Sequence, residues 1–428
     1  MRFVVAAVLC CLPLKLAALP NSVVGPVFQA NSPLNGQDLT QRFLAADMWQ
    51  AGAELPGEWQ DEGRVASSEI SHLLARPKLF GNEVVLLRAV HRDDRLIGLE
   101  ATFVDAGSFF GYFDEELPAD LDRRARRKEI ERRLAERQRE FQESYLETLG
   151  SLTDGLASIS KTKRPDDETI GRTRVLRAEV TDYPLENKVL RLIADGRRLI
   201  RVIISQKGEL PRTWLDPEIA ELDTRERAAR LREAVVTSDD GTVSIENLRP
   251  LPQGYRPYCG LNSLAMAARH FGLHIDEDWL AVAGQFQNTG SADGSRIVSL
   301  YPAVASEAGF GMDRSNRFDA TAARRALANG FPVIVWRRFS QERDQLHTRF
   351  ARSYQNDPGA VLPDPAQPDE RASWPGKDAP LHASVLTGYH DERREFLFLE
   401  SWSGRDKPRR MRAEELAATA YLTFVFHP

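Results

Sequence analysis

Residues 251–272 read Leu-Pro-Gln-Gly-Tyr-Arg-Pro-Tyr-Cys-Gly-Leu-Asn-Ser-Leu-Ala-Met-Ala-Ala-Arg-His-Phe-Gly, and this stretch decides the fold of the C-terminal part of the chain. Leu261, Leu264, Ala268 and Phe271 recur on one helical face, and Gly272 is a natural stop, because glycine closes a helix without steric cost. Cys259 therefore stands at or just before a helix N-terminus. There the unpaired backbone N–H groups and the macrodipole favour a thiolate over a thiol, which is what a sulfur nucleophile needs. Gln253 lies six residues upstream on a loop held by Pro252, Gly254 and Pro257. Its side-chain N–H can reach a carbonyl attacked by the sulfur, which makes it the candidate oxyanion donor.

The chain has 428 residues, enough for two or three domains. Hydrophobic content of 42% and charged content of 28% are those of a folded globular protein and exclude a disordered or collagen-like one. A formal charge of -5 gives no basic excess, so no nucleic-acid partner is expected. Of the three cysteines, Cys10 and Cys11 lie in the apolar run Phe3–Leu14, which follows Arg2 and precedes Ala17 and Ala18. Residues 1–19 read as a signal peptide for export to a periplasm or the exterior, and the run is short of the roughly 20 residues a membrane span needs. The mature chain is then expected to hold no stable membrane span and to keep only Cys259, without an internal disulfide. An inert core thiol is the alternative reading of that cysteine.

Toward the other end, 380–389 read Pro-Leu-His-Ala-Ser-Val-Leu-Thr-Gly-Tyr, a polar turn occupies 390–394, and 395–404 read Glu-Phe-Leu-Phe-Leu-Glu-Ser-Trp-Ser-Gly. This pattern is a hairpin. His382 opens its first strand and Glu400 closes its second, so antiparallel pairing puts them at the same end. A carboxylate there can accept a hydrogen bond from the imidazole and fix which ring nitrogen faces the sulfur. Trp402 is expected to pack over this hairpin. His270 and His274 read as helix-end and loop residues, since no second ligand pair has metal spacing, and neither a metal nor a cofactor is expected.

Three runs carry a family resemblance: Gln253-(x5)-Cys259-Gly260 opening a helix, His382-Ala-(x4)-Gly388-Tyr389, and Glu400-Ser-Trp-Ser-Gly404. Between them Leu327–Trp336 supplies a helix, Gly, Pro, strand element. Together they resemble the papain-like cysteine peptidase superfamily, and within it the bacterial double-glycine (bacteriocin-leader) peptidase-like group. The resemblance covers about 242–428. It implies a papain-like fold, in which a helix carrying Cys259 packs on an antiparallel sheet carrying His382, and a peptide or protein substrate. Such families usually place Asn or Asp at the third position, whereas this chain has Glu400, one methylene longer. No transporter segment of the kind attached to leader peptidases is read, so leader cleavage during export is not implied.

Residues 20–240 read as a separate α+β domain of unassigned role. A short helix is expected over Leu39–Trp49, a hairpin over Glu83–Val104, and three strands over Arg174–Thr181, Lys188–Ala194 and Arg198–Ser205, the last two joined at Asp195-Gly196. Leu121, Ile130, Leu134, Phe141, Tyr145, Leu149 and Leu152 predict one long amphipathic helix over about 118–159. Lys161–Thr169 reads as a polar stretch and Asp216–Glu233 as a connecting helix, with a boundary near 240 and the peptidase-like domain over 241–428. No sequence repeat is read. Gln355–Lys377, rich in Pro and Asp, reads as a loop near the cleft or a surface insertion. The expected function is an exported thiol hydrolase using Cys259, His382, Glu400 and Gln253. The alternatives are a cell-wall amidase or acyl transferase with the same dyad, and a catalytically silent scaffold that binds a partner.

Overall fold

Two eight-stranded antiparallel sheets organise the chain. The structure is a computed structural model and describes residues 28–106, 109, 121–162, 165–253, 258–285, 294–357, 359–402 and 407–428. The expected signal peptide, the expected start of the long helix at 118, Gly254, Pro257, Ser403 and Gly404 lie outside the described residues. The chain divides into two compact units, one of Pro26–Trp214 with Ala281–Gly290 and the other centred on Leu215–Leu280 with Ser291–Pro428.

In the first unit the strands are β1 (Trp59–Val65), β2 (Ser68–Leu73), the short pair β3 (Lys78–Leu79) and β4 (Asn82–Glu83), β5 (Leu86–Arg92), β6 (Arg95–Asp105), β7 (Asp166–Ile170), β8 (Ala178–Leu185), β9 (Lys188–Asp195) and β10 (Leu199–Gln206). The sheet runs β1-β2-β5-β6-β10-β9-β8-β7. It is two four-stranded meanders meeting along β6 and β10, where Ile203 pairs with Glu100. The third strand of each meander holds a buried arginine on an acid. Arg88 reaches Glu62 at 3.0 Å and Arg191 reaches Asp182 at 2.8 Å, and the residues opposite them in register are His72 and Asp182. The repetition lies in topology and in a few paired charges, so no sequence repeat is legible.

Helix α1 (Arg123–Ser160) lays Phe141, Tyr145, Leu152 and Leu156 into a core with Leu87, Leu99, Leu190 and Val202. Asp122 caps its start, accepting from the backbone N–H groups of Arg124 and Ala125, and Lys161 ends it in the left-handed conformation. Its first turns are exposed and held by pairs such as Arg127–Glu131 and Arg132–Glu136. The polar run after it is not all loop. Asp166–Ile170 forms edge strand β7, and the strand expected at 174 starts instead at Ala178. An edge strand needs only one inward apolar residue, here Ile170, so alternation gives no warning of it.

The second unit begins at Leu215, ahead of the boundary read near 240, because Leu215 bridges Leu273 and the Asp216 N–H donates to the Gly272 carbonyl at 2.8 Å. After α2 (Thr224–Glu233), β11 (Val235–Thr237) pairs with β12 (Val243–Ile245), and β12 pairs with β15 (Leu381–His390). The sheet continues through β14 (Val333–Arg338) and β18 (Ala420–His427) to β13 (Gly311–Ser315), while β16 (Glu395–Leu399) and β17 (Arg409–Arg412) extend from β15. Helix α3 (Cys259–His270) is buried on nearly every side and packs on β15. α4 (Gly294–Ala308) packs beside α3, and α5 (Ala320–Ala328) leads into β14. Between β14 and β15 lie α6 (Gln341–Asn356) and a short helix at Pro368–Ala372, so the segment read as loop or insertion is partly helical.

Gly330 makes the turn from α5 toward β14 at φ +80°, and a Cβ there would stand 2.0 Å from the Leu231 carbonyl oxygen. Gly330→Ala is predicted to cost about 2–4 kcal/mol of unfolding free energy, from left-handed strain plus overpacking, measured by urea denaturation. Gly376→Ala, where a Cβ meets nothing within 4 Å, is predicted to change it by less than about 0.5 kcal/mol.

Candidate active site

Cys259 is the first residue of α3 and is buried. The turn that carries it is pressed against the sheet. A Cβ on Gly260 would lie 2.6 Å from the Trp336 ring, so only glycine lets the helix start approach β14 this closely. The Trp336 indole N–H donates to the Tyr301 hydroxyl at 2.8 Å, and that hydroxyl donates to the Gly260 carbonyl at 2.9 Å. This chain of two hydrogen bonds pins the backbone next to the sulfur. Asn262 ties the preceding loop to the same helix by donating from Nδ2 to the Leu251 carbonyl at 3.0 Å.

His382 stands near the start of β15, opposite Arg337 of β14 in the register. Glu400 follows the last residue of β16, and the pairing of Val385 with Leu399 brings it back to the His382 end of the hairpin. His382 Nε2 donates to Glu400 Oε2, and the imidazole also hydrogen-bonds Cys259. A carboxylate can only accept, so Nε2 carries the proton and Nδ1 is left for the sulfur. Trp402 stacks on the His382 ring, centroids 4.1 Å apart at 22°, and Phe339 packs edge-on against Trp402.

Burial works against the imidazolium, yet the Glu400 carboxylate and the Cys259 sulfur outweigh it and hold the His382 pKa up to about 9. Burial would likewise raise the Glu400 pKa, but His382, Arg337 and Arg409 hold it well below the usual carboxylate range. The second oxygen of Glu400 is surrounded by donors. Oε1 accepts from Arg337 Nη2 at 2.7 Å and Ser384 Oγ at 2.9 Å, and Arg409 Nη2 lies 3.0 Å away. The arrangement keeps a base charged and oriented beside a sulfur, which is a geometry suited to nucleophilic acyl chemistry.

Gln253 joins the same assembly. Its backbone N–H donates to the Ser401 carbonyl at 2.7 Å, and the Ser401 hydroxyl donates to Gln253 Oε1 at 2.5 Å. Holding the oxygen on Ser401 fixes the side-chain amide with its nitrogen as the other end. The structure thus brings Cys259, His382 and Glu400 into one hydrogen-bonded chain, with Gln253 tied to the residue after Glu400. His270 and His274 stand apart, on the Gly330 carbonyl at 2.8 Å and Asp216 at 2.9 Å. Sequence reasoning misses Arg337, Ser384 and Arg409. The signal for Arg337 is a charged residue continuing the buried run Val333–Trp336. Arg409 sits in a basic run that reads as solvated surface.

Residues 245–426 match the model of the family described as Peptidase_C39 like. The chain is similar to the solved peptidase domain of Streptococcus ComA, a bifunctional ABC transporter involved in quorum sensing, at 18% identity over 42% of this chain and 98% of that one, with a TM-score of 0.26. It is also similar to a C39-like peptidase from Bacillus anthracis, at 12% identity over 44% of this chain and 98% of that one, with a TM-score of 0.28. Among curated proteins no relative matches.

Glu400→Gln removes the charge that balances buried Arg337, Arg409 and His382. The variant is predicted to lose about 3–5 kcal/mol of stability, measured by denaturant unfolding. The pH dependence carries a sign as well. A histidine at about 9 in the folded state and about 6.5 unfolded adds stability that is full below pH 6.5 and is lost as pH rises through 9. Because the Cys259 thiol titrates with the opposite sign in the unfolded chain, the test uses Cys259→Ala, whose thermal midpoint should fall as pH rises above 6.5, and the double variant with Glu400→Gln, whose midpoint should fall less.

Proposed function

We propose that this protein, whose residues 245–426 match the Peptidase_C39 like family model, is an exported cysteine peptidase that cleaves a peptide amide bond with Cys259 as nucleophile. The hydrogen-bonded chain from Cys259 through His382 to Glu400 is the observation that carries this reading. The Cys259 thiolate attacks the amide carbonyl, and the negative charge moves to the carbonyl oxygen. The Cys259 backbone N–H and the Gln253 side-chain N–H receive that oxyanion. His382, held as imidazolium, protonates the departing amine as the C–N bond breaks, leaving an acyl-enzyme. The neutral imidazole then takes a proton from water, hydroxide adds to the thioester, and collapse releases the carboxylic acid and returns the thiolate. Glu400 takes no proton in this cycle; it keeps Nδ1 toward the sulfur and stabilises the imidazolium. Export rests on the apolar run Phe3–Leu14 and the small residues after it.

The test is cleavage of a peptide library by the full chain. Cys259→Ala is predicted to abolish cleavage with the fold intact. Gln253→Ala is predicted to lower kcat by about 100- to 1000-fold with a smaller effect on KM, because an oxyanion donor acts mainly in the transition state. Full cleavage by Cys259→Ala contradicts the proposal.

A further inference from the structure

The segment 339–380 between β14 and β15 is anchored by its charges. Ser340 caps α6 by accepting from the Arg343 backbone N–H, and the inner face of the helix buries Arg343, Asp344 and His347. Arg343 reaches Glu370 at 2.7 Å and Glu415 at 2.5 Å, and His347 Nε2 lies 3.2 Å from Glu415. Asp344 points elsewhere. It accepts from Arg409 Nη1, and the other Nη of the same guanidinium lies 3.0 Å from Glu400 Oε1. Asp344, Arg409 and Glu400 are 6%, 2% and 1% exposed, so water screens none of the three.

We propose that Asp344 and Arg409 are positioning residues for the reaction, through which α6 holds Glu400 on His382 and balances the charge around the imidazolium. This inference rests on the reading of Cys259 and His382 as the reacting pair. A glutamate has one more rotatable bond than the Asn or Asp otherwise usual at such a site, and donors on Oε1 are what keep Oε2 on the ring. Arg337 and Ser384 supply them from β14 and β15, and Arg409 of β17 adds a cation 3.0 Å from the same oxygen. Two guanidiniums against one carboxylate would by themselves repel a proton from the nearby ring. Asp344 supplies a compensating negative charge on the far side of Arg409. The charged groups around His382 are then Glu400 and Cys259 in direct contact, Arg337 and Arg409 behind the carboxylate, and Asp344 behind Arg409. His347, Arg343 and Glu415 form the next layer, with the His347 ring edge-on to Phe398, over which Arg337 and Arg409 also lie.

The experiment tracks the His382 imidazole by NMR in histidine-labelled full-length protein, titrated from pH 5 to 10. Asp344→Asn leaves Arg409 uncompensated, and the proton affinity of His382 should fall by about threefold or more. The double variant Asp344→Asn with Arg409→Met removes both charges and should return the titration toward wild type while kcat falls. Arg409→Lys keeps the charge and should titrate as wild type. A purely structural role predicts lost stability without these sign-specific shifts. A folded Asp344→Asn that titrates as wild type overturns the proposal. So does a double variant shifted as far as the single one. If Asp344→Asn does not fold, Arg409→Met decides: it leaves Asp344 unbalanced and should raise the proton affinity of His382, and a wild-type titration in it overturns the proposal. Because the titration needs no substrate, these shifts can appear in a protein that cleaves no peptide. That result would sink the peptidase reading and leave the charge relay standing.

Discussion

A single carboxylate, buried among cations, sets the terms for the rest of the C-terminal unit. Glu400 is 1% exposed and has His382, Arg337 and Arg409 around it. Removing such a charge from water costs several kcal/mol, and only close opposite charges and donors offset that cost. The charged partners of Glu400, His382, Arg337 and Arg409, come from three different strands, so the carboxylate can be satisfied only when β14, β15, β16 and β17 are in register. The same register puts Arg337 opposite His382 and returns Glu400 to the end of the hairpin where His382 stands. Completing the ion cluster and placing His382 beside Cys259 are therefore one structural event.

The sulfur side is set by contact instead of charge. Gly260 lets α3 press on Trp336, and the indole, the Tyr301 hydroxyl and the Gly260 carbonyl form a line of hydrogen bonds under the helix start. Ser401, next to Glu400, holds both the backbone and the side chain of Gln253. The loop ahead of Cys259 is thus tied to the segment that carries Glu400. In the proposed reaction, fixing both sides in this way reduces the reorganisation needed when charge develops.

How much of this is legible in the sequence depends on what each residue needs. Cys259 is visible because helical periodicity and a glycine stop place it at a helix start without help from distant residues. His382 and Glu400 are visible because a short hairpin makes their proximity a matter of counting. Arg409 and Asp344 are not, since a charged residue in a polar run reads as solvated until a tertiary partner buries it. The same limit applies in the first unit. Strands β1 and β7 carry runs of charge at sheet edges, while the hairpins β5–β6 and β9–β10 carry nearly continuous apolar runs. The unit boundary at Leu215 is hidden for a related reason, as β11 belongs to a sheet whose next strands lie far along the chain. The acid at position 400 is the residue where family pattern and structure part company. The extra methylene is matched by Arg337, Ser384 and Arg409 on its second oxygen.

The proposed function requires His382 to hold Cys259 as a thiolate at neutral pH, and the rate of Cys259 alkylation by iodoacetamide from pH 4 to 9 reports this. An unpaired thiol reacts with an apparent pKa near 8.5, whereas a histidine-paired thiolate reacts with one between roughly 3.5 and 7.5. Fast alkylation well below pH 7 is expected in the wild type and is lost in His382→Ala. Alkylation that rises only near pH 8.5, and identically in both proteins, would contradict it.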